Sequence, residues 1–438
     1  MTTLVGCAGT PDPEPLRLGQ LASAATALTN ASAFPNASGR VSTYNTTGKL
    51  SLKGPFFQSL GTNGRTCGTC HRPEDGFSLT PAHIQAVFDA TGGLDPLFRP
   101  VDATNNPNAD VSTVAARQAA YSLFRTRGVV RFTFPVPAQA QFQLLFADDP
   151  HGNDANAGVT VFRRPLPATG VAFLSTVMWD GRGLHPDDPA TGGLSGALRA
   201  QANDAHVGHA QATAGLSLAQ QTSIVDLELA IFTAQSYDNA AGSLSGNGGL
   251  GGAKHLAAQS GAIGPFTIYS AWATTGKKPA AAARAAIRRG EDLFNTLPMT
   301  LSGVRGLNTD AQPVVTGTCR TCHEVANVGS QATFSTFDIG VAAASRRPAD
   351  SPLYTFVNSA TGESISLTDP GRAVVTGQWS DMGRFKSPSL RGLASRAPYF
   401  HDGTAATIED VIEFYNGRFQ MQLSPANKAD LAAFLKAL

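Results

Sequence analysis

The spacing of apolar residues predicts four helical segments. Residues 223–235 carry apolar side chains at helical intervals, and residues 408–415 and 428–438 show the same spacing. Residues 279–294 combine alanine-rich helix formers with three apolar positions near their end. These segments indicate a mainly α fold.

Loops and chain length predict two domains. A chain of 438 residues is longer than one hydrophobic core usually serves. Residues 241–265 are rich in Gly, Ala and Ser and are predicted to be loop, and residues 1–50 show little apolar period. We therefore predict a tail or wrapping segment over 1–54, followed by domains at 55–277 and 278–438 with long loops.

Composition excludes several classes of protein. Apolar residues make up 42% of the chain, which is ordinary for a globular protein, while a charged fraction of 15% and 45 glycines indicate a loop-rich, neutral surface. The formal net charge is only +1, and the basic residues are scattered, so no nucleic-acid partner is expected. No segment approaches the roughly 18 consecutive apolar residues that a membrane span requires, so no transmembrane segment is predicted.

Four of the five cysteines lie in two Cys-x-x-Cys-His motifs. The motifs are Cys67, Cys70 and His71, and Cys319, Cys322 and His323. Two thiols at this spacing can form thioethers with the two vinyl groups of a haem, while the adjacent His becomes an axial iron ligand. Zinc fits less well because a fourth ligand and another His spacing are usual, and a redox dithiol would need a βαβ context. The motifs predict two covalently bound haem c groups.

The haem motifs also bear on location. Haem c is normally attached outside the cytoplasm, so we expect a periplasmic protein. The segment 4–7, Leu-Val-Gly-Cys, resembles a bacterial lipobox that would attach a lipid at Cys7. A free cysteine in the terminus is the alternative, and the residues leave both open.

Three further motifs carry a family resemblance. They are Trp-Asp-Gly-Arg at 179–182, Phe-Lys-Ser-Pro-Ser-Leu-Arg at 385–391 and Ala-Pro-Tyr-Phe-His-Asp-Gly at 397–403. With the haem motifs, they resemble the bacterial dihaem cytochrome c peroxidase and MauG superfamily over residues 60–438, although 184–275 fit poorly. The resemblance implies two cytochrome c-like domains, with peroxide reacting at the first haem and electrons stored at the second. It places Trp179 between the haems; a core tryptophan is the alternative.

The resemblance also assigns the sixth ligand of the second haem. Peroxidases have a methionine fourteen residues after the motif histidine, whereas MauG-like members, MbnH-type enzymes included, have a tyrosine. Counting from His401 leads to Tyr415. Tyrosinate stabilises ferric and higher-valent iron, which suits a store of oxidising equivalents. Met421 and Met382 are the alternative ligands.

The distal side of the first haem departs from the peroxidases. Those enzymes close the resting site with a histidine about sixteen residues after the proximal one, but this position is Val87, and His83 is the only near candidate. We predict an open, five-coordinate iron at His71.

The residues that would move protons during peroxide cleavage are also altered. The family uses a Gln and a Glu after the tryptophan; Gln201 matches the Gln, but the Glu position falls near Gln211. Either His206 or His209 serves as the proton shuttle, or Glu228 takes this role.

Members of the family often hold a calcium ion between the domains through backbone carbonyls. The corresponding positions are Arg396 and Pro398. Carbonyl ligands leave no side-chain signature, so the sequence neither supports nor opposes the ion.

These features lead to four functional hypotheses. The first is a MauG-like enzyme that reacts with hydrogen peroxide, forms a high-valent dihaem state and oxidises a partner-protein side chain, such as tryptophan, at a distance. The second is a peroxidase that reduces hydrogen peroxide with electrons from a small cytochrome c or cupredoxin. A non-catalytic electron-transfer cytochrome and a dioxygen-using enzyme similar to the rubber oxygenases are the others.

Overall fold

The computed structural model describes residues 27–183 and 192–438. Within them the helices are α1 Cys67–Cys70, α2 Pro81–Thr91, α3 Val114–Ala120, α4 Ser122–Arg127, α5 Gly193–His209, α6 Leu218–Ala230, α7 Ala253–Ala257, α8 Pro279–Thr296, α9 Ala373–Thr376, α10 Ile408–Arg418 and α11 Pro425–Lys436. The strands are β1 Ala27–Leu28, β2 Ala33–Asn36, β3 Gly39–Asn45, β4 Leu50–Ser51, β5 Val130–Phe134, β6 Phe142–Asp148, β7 Val159–Arg163, β8 Ile231–Asp238, β9 Gly242–Ser243, β10 Met299–Ser302, β11 Val314–Gly317, β12 Leu353–Asn358 and β13 Ser364–Leu367.

The fold mixes helices and strands, so the prediction of a mainly α protein is wrong in this respect. The strands form small antiparallel sheets in the orders β1-β4, β2-β3-β8-β9, β5-β7, β13-β12-β6 and β10-β11. Short strands of this kind give a weak sequence signal because each pairs with a distant segment. The sheet β13-β12-β6 includes strands from both sides of the predicted boundary at residue 277.

The helices predicted near the C-terminus are confirmed as α8, α10 and α11. Helix α8 begins with Pro279 at its first position, where the missing N–H costs nothing. It packs against α11 so closely that a side chain at Gly290 would collide with the backbone of Asp430. The ring of Phe266 meets those of Phe294 and Phe434 edge to face at 5.4 and 5.7 Å, and the latter two rings lie 5.7 Å apart in a tilted arrangement. This packing makes one wall of a large cavity beside Cys319.

The helix predicted over 223–235 ends at Ala230, and the following residues form β8. Ile231, Phe232 and Thr233 are β-branched or aromatic, and they pair in register with β3. Thr43 and Thr233 also share a hydrogen bond of 2.7 Å across the pair. Pairing with β3 therefore makes residues 231–235 a strand, although their apolar spacing alone favours a helix.

Two segments predicted to lack regular structure contain short elements. Residues 27–51 form β1 to β4, and Val41 is fully buried in the sheet with β8. The loop at 241–265 includes β9 and the single turn α7. Cys7 lies outside the described residues. None of the helices in the described ranges has the length and apolar character needed to cross a bilayer.

Candidate functional site

The first Cys-x-x-Cys-His motif forms a capped turn of helix beside a cavity. Thr66 is the N-cap residue of α1, and its backbone N–H donates to the Thr69 hydroxyl oxygen at 2.9 Å. His71 follows, and its Nδ1 donates to the Phe77 carbonyl oxygen at 3.0 Å. Because a carbonyl only accepts, this bond leaves the Nε2 lone pair of His71 free for a metal.

The second motif repeats this arrangement. Thr318 caps the turn that contains Cys319, and the Nδ1 of His323 donates to the Gly329 carbonyl oxygen at 2.6 Å. Burial lowers the pKa of His323 to about 4 and lowers the pKa of His71 as well. Both imidazoles are therefore neutral at ordinary pH, which is the form that binds iron.

The residues fit two covalently attached haems. Each motif lines its own cavity, of about 1610 Å³ for the first and 1520 Å³ for the second, open mouths included. All four cysteines are free thiols. Burial raises the pKa of Cys70 to about 11 and the pKa of Cys67, Cys319 and Cys322 to about 12. Across the described residues no three His, Cys, Asp or Glu side chains converge on a metal-sized point.

Trp179 lies in the wall between the two cavities and lines both. Its indole Nε1 donates to the Arg164 carbonyl oxygen at 2.8 Å, and its own carbonyl oxygen accepts from the Lys386 N–H at 2.8 Å. The structure thus joins the two motifs at 179–182 and 385–391 by a hydrogen bond. The role of Trp179 between two haems stays a prediction.

A buried ion-pair network supports the Trp179 segment. Asp180 is fully buried and pairs with Arg163, which also forms a bidentate pair with Asp369 at 2.7 and 2.8 Å. Arg182 donates to Asp180 at 2.6 Å. Burial by itself would lower the pKa of Arg163, but the two carboxylates outweigh it and raise the pKa. The network fixes the backbone that holds the indole between the cavities.

The second cavity contains the predicted ligand Tyr415. This residue lies on α10, lines the cavity together with Cys319 and Cys322, and makes no side-chain hydrogen bond to any described residue. Burial raises the pKa of Tyr415, as do the neighbouring Cys322 and Cys319. Met421 lines the same cavity, whereas Met382 is packed in another core and does not line it. Of the three candidate ligands named from the sequence, Tyr415 and Met421 therefore line the second cavity and Met382 does not.

Helix α5 brings the predicted distal residues to the first cavity. Gln201, His206 and His209 all line it. The Nδ1 of His209 lies 2.5 Å from Oδ2 of Asp102, whose Oδ1 accepts from Arg65 at 2.6 Å. Asp102 and Arg65 are both buried. His209 is thereby held in a fixed orientation.

The Asp102–His209 pair was not found by sequence reasoning. Asp102 stands in a loop 107 residues before His209 and belongs to no recognisable motif. Burial raises the pKa of Asp102, but Arg65 and His209 outweigh this and hold the pKa below its usual range. Asp102 is therefore a carboxylate at neutral pH.

Glu228 also faces the first cavity, whereas Gln211 is an exposed residue that does not line it. Glu228 is buried and its Oε2 has no hydrogen-bond partner among the described residues. Burial raises its pKa to about 8. The cavity therefore holds a carboxylic acid that is protonated at neutral pH.

The raised pKa of Glu228 predicts a pH-dependent contribution to stability. The protonated acid favours the folded state, so its contribution is complete below the ordinary pKa near 4.5 and is lost as the pH rises through about 8. Glu228→Gln removes this titration and should raise the melting temperature of the haem-loaded protein at pH 9 but not at pH 4. One pKa unit corresponds to about 1.4 kcal/mol, so a gain of a few kcal/mol is expected. Glu409→Gln is the control, because Glu409 is half-exposed and pairs with Lys436. Equal melting temperatures for wild type and Glu228→Gln at pH 9 would contradict the prediction.

Neither Val87 nor His83, the two positions considered for a ligand that closes the first haem site, lines the first cavity. Val87 packs against a core beside α2, and His83 lines a separate third cavity. Both ring nitrogens of His83 are buried without partners, and burial lowers its pKa to about 4. The open coordination predicted for the iron at His71 remains a prediction. Neither Val87 nor His83 of α2 lines the first cavity, where a sixth ligand would have to lie.

The predicted calcium positions lie beside the second cavity. The Arg396 carbonyl oxygen accepts from the Arg164 guanidinium at 3.0 Å, and Pro398 follows a cis peptide bond. A calcium ion at this point would share the Arg396 carbonyl oxygen with the positively charged guanidinium of Arg164. Calcium ligation by Arg396 and Pro398 stays a prediction.

Similarity to known proteins is limited to part of the chain. The chain is 40% identical over 78 residues to the cytochrome c peroxidase IdrP2 of Denitromonas iodatirespirans and 43% over 70 residues to the cytochrome c551 peroxidase of Nitrosomonas europaea, covering 16% of this chain and 21% of each relative. It is 29% identical over 121 residues to the cytochrome c551 peroxidase of Pseudomonas aeruginosa, covering 27% of this chain and 30% of that one. The chain thus spans less than a third of the length of these relatives. No family model matches.

Two solved structures share a similar outline at 17% identity. One is a MauG-like protein associated with microbial copper homeostasis, with a TM-score of 0.38 over 88% of this chain and 85% of that one. The other is the hydrazine synthase of Kuenenia stuttgartiensis, with a TM-score of 0.36 over 73% and 82%. TM-scores this low do not support an inference about function. The sequence matches confirm the resemblance to the bacterial dihaem cytochrome c peroxidase and MauG superfamily.

Proposed function

We propose that this chain is a periplasmic dihaem c-type oxidoreductase that reacts with hydrogen peroxide at the His71 site and oxidises a substrate at a distance. The substrate class is a side chain of a partner protein, such as tryptophan. The proposal rests above all on two cavities of unlike character that share one wall, in which Trp179 lies.

The first cavity contains the groups needed to handle peroxide. When bound, the haems would be oxidised by peroxide and would store the oxidising equivalents. His209 takes the proton of an entering peroxide and returns it to the departing oxygen, while Asp102 holds its ring by the Nδ1 bond. Glu228 supplies a second proton at neutral pH. Gln201 lines the same cavity and can orient the peroxide by hydrogen bonding.

The second cavity is suited to storage. In the described residues its lining is largely apolar, and Tyr415 extends into it from α10. A phenolate is a hard anionic donor that favours ferric and higher-valent iron over ferrous iron. Trp179 lines both cavities, where it would relay electrons between haems bound in them.

A peroxidase that reduces hydrogen peroxide to water with electrons from a small redox protein is the second candidate. Two observations favour it: the sequence relatives described above are named cytochrome c peroxidases, and Met421 lines the second cavity beside Tyr415. A thioether ligand would raise the reduction potential and suit a ferrous electron donor.

One equivalent of hydrogen peroxide added to the haem-loaded protein tests the proposal. We expect one high-spin and one low-spin ferric signal at rest, and a long-lived oxidised product that reduced cytochrome c does not discharge catalytically. Tyr415→Phe should abolish the resting low-spin signal, while Met421→Leu should leave it unchanged. Two low-spin signals at rest, or rapid turnover with reduced cytochrome c and sensitivity only to Met421→Leu, would favour the peroxidase instead.

A further inference from the structure

Lys386 is a buried cation in the wall between the two cavities. It lines both of them, as Trp179 does, and only 4% of its surface is exposed. Its backbone N–H donates to the Trp179 carbonyl oxygen at 2.8 Å, which fixes the residue next to the indole. Its Nζ forms no ion pair or hydrogen bond with any of the described residues.

The cations around Lys386 do not supply a counter-charge. The guanidinium of Arg164 donates to three backbone carbonyls, those of Arg127, Leu79 and Arg396. The guanidinium of Arg396 donates to the Ser389 carbonyl, and its Nε is buried without a partner. Burial lowers the pKa of Lys386 to about 8, and the charge of Arg396 adds to this effect.

Other buried charges in the protein are handled differently. Arg163 is fully enclosed, yet it is paired with both Asp180 and Asp369. A buried ammonium without a partner costs several kcal/mol, and buried cations in folded proteins are therefore normally paired with anions. Lys386 and Arg164 line both cavities and Arg396 lines the second, but the described residues place no carboxylate in ion-pair contact with any of them. The missing anions must come from whatever fills the cavities.

Each haem brings two carboxylates, its propionates. We propose that Lys386 is the shared counter-charge of the two haems and pairs with one propionate from each cavity. This inference depends on the two haem sites of the proposed function, but not on the reaction with peroxide. Without Lys386, two propionates that approach the wall from opposite sides would repel one another, so the residue also holds the haems at a fixed separation.

Reduction potentials test the shared pairing. Lys386→Met keeps the length of the side chain and removes its charge, so the ferric form of both haems should be favoured and both potentials should fall. We expect a change of about tenfold in the ferric-to-ferrous ratio at fixed potential, which is about 59 mV for a one-electron couple. Lys436→Met is the matched control, because Lys436 pairs with Glu409 at the surface and lines neither cavity. Lys386→Arg, which retains the charge, should restore most of the shift.

A fall confined to one haem, or no fall at either, would overturn the shared pairing. If Lys386→Met does not fold, the crystal structure of the haem-loaded wild type decides: Lys386 Nζ should lie within about 4 Å of a propionate oxygen from each haem, and a longer separation from either would refute the proposal. These readouts do not require peroxide activity. A protein that binds two haems and shows the shift but ignores peroxide would retain this inference and refute the proposed function.

Discussion

Trp179→Phe is expected to lower peroxide-dependent oxidation of the substrate by about 100-fold or more, equivalent to about 2.7 kcal/mol. The reaction of peroxide at the first site should keep nearly its wild-type rate. The indole lines both cavities and is the most easily oxidised side chain in the wall between them. Phenylalanine fills much of the same space but is far harder to oxidise. Stopped-flow spectra of the haem-loaded protein would measure the first step, and product formation the second.

Trp272→Phe is a matched control for this substitution. Trp272 is buried, its Nε1 also donates to a backbone carbonyl, that of Gly246 at 3.0 Å, and it lines neither cavity. Each variant loses an indole and one hydrogen bond, so a general packing effect would appear in both. Equal substrate oxidation by Trp179→Phe and wild type would remove Trp179 from the electron path.

Local sequence motifs predicted the most rigid parts of the candidate site. The two Cys-x-x-Cys-His turns are set by contacts within a few residues, such as the cap at Thr66 and the bond from His71 to Phe77. Helix α8 was predictable because the segment is rich in alanine and begins with Pro279, and α11 because residues 428–438 carry apolar side chains at helical spacing. In these cases the information needed for the structure is contiguous in the chain.

The remaining features depend on partners far apart in sequence. Ile231 begins a strand because β3, almost 190 residues earlier, lies beside it. The same explanation applies to His209: its position on α5 follows from a local helix, but its orientation comes from Asp102 in a distant loop. Apolar spacing cannot encode either contact, so sequence analysis named the histidine and missed the carboxylate.

His209→Ala is expected to slow the reaction of peroxide at the first site by about 10²–10⁴-fold, the usual contribution of a general acid–base group. His206→Ala is the comparison, because His206 lies on the same helix and lines the same cavity but has no carboxylate partner among the described residues. It should change the rate much less. Rapid mixing of haem-loaded variants with peroxide across a range of pH would provide the rates, and added imidazole should restore part of the activity of His209→Ala.

Asp102→Asn separates positioning from proton transfer. Asparagine can still contact His209, but it removes the negative charge beside the ring and leaves the buried Arg65 without its ion pair. Loss of that pair should cost about 3–5 kcal/mol of stability, so the rate must be measured at a temperature where the variant is folded. Because the bond that holds the His209 ring is weakened, the rate should fall, but by less than in His209→Ala. Undiminished rates in both Asp102→Asn and His209→Ala would assign the proton transfers to Glu228, another titratable group that lines the cavity.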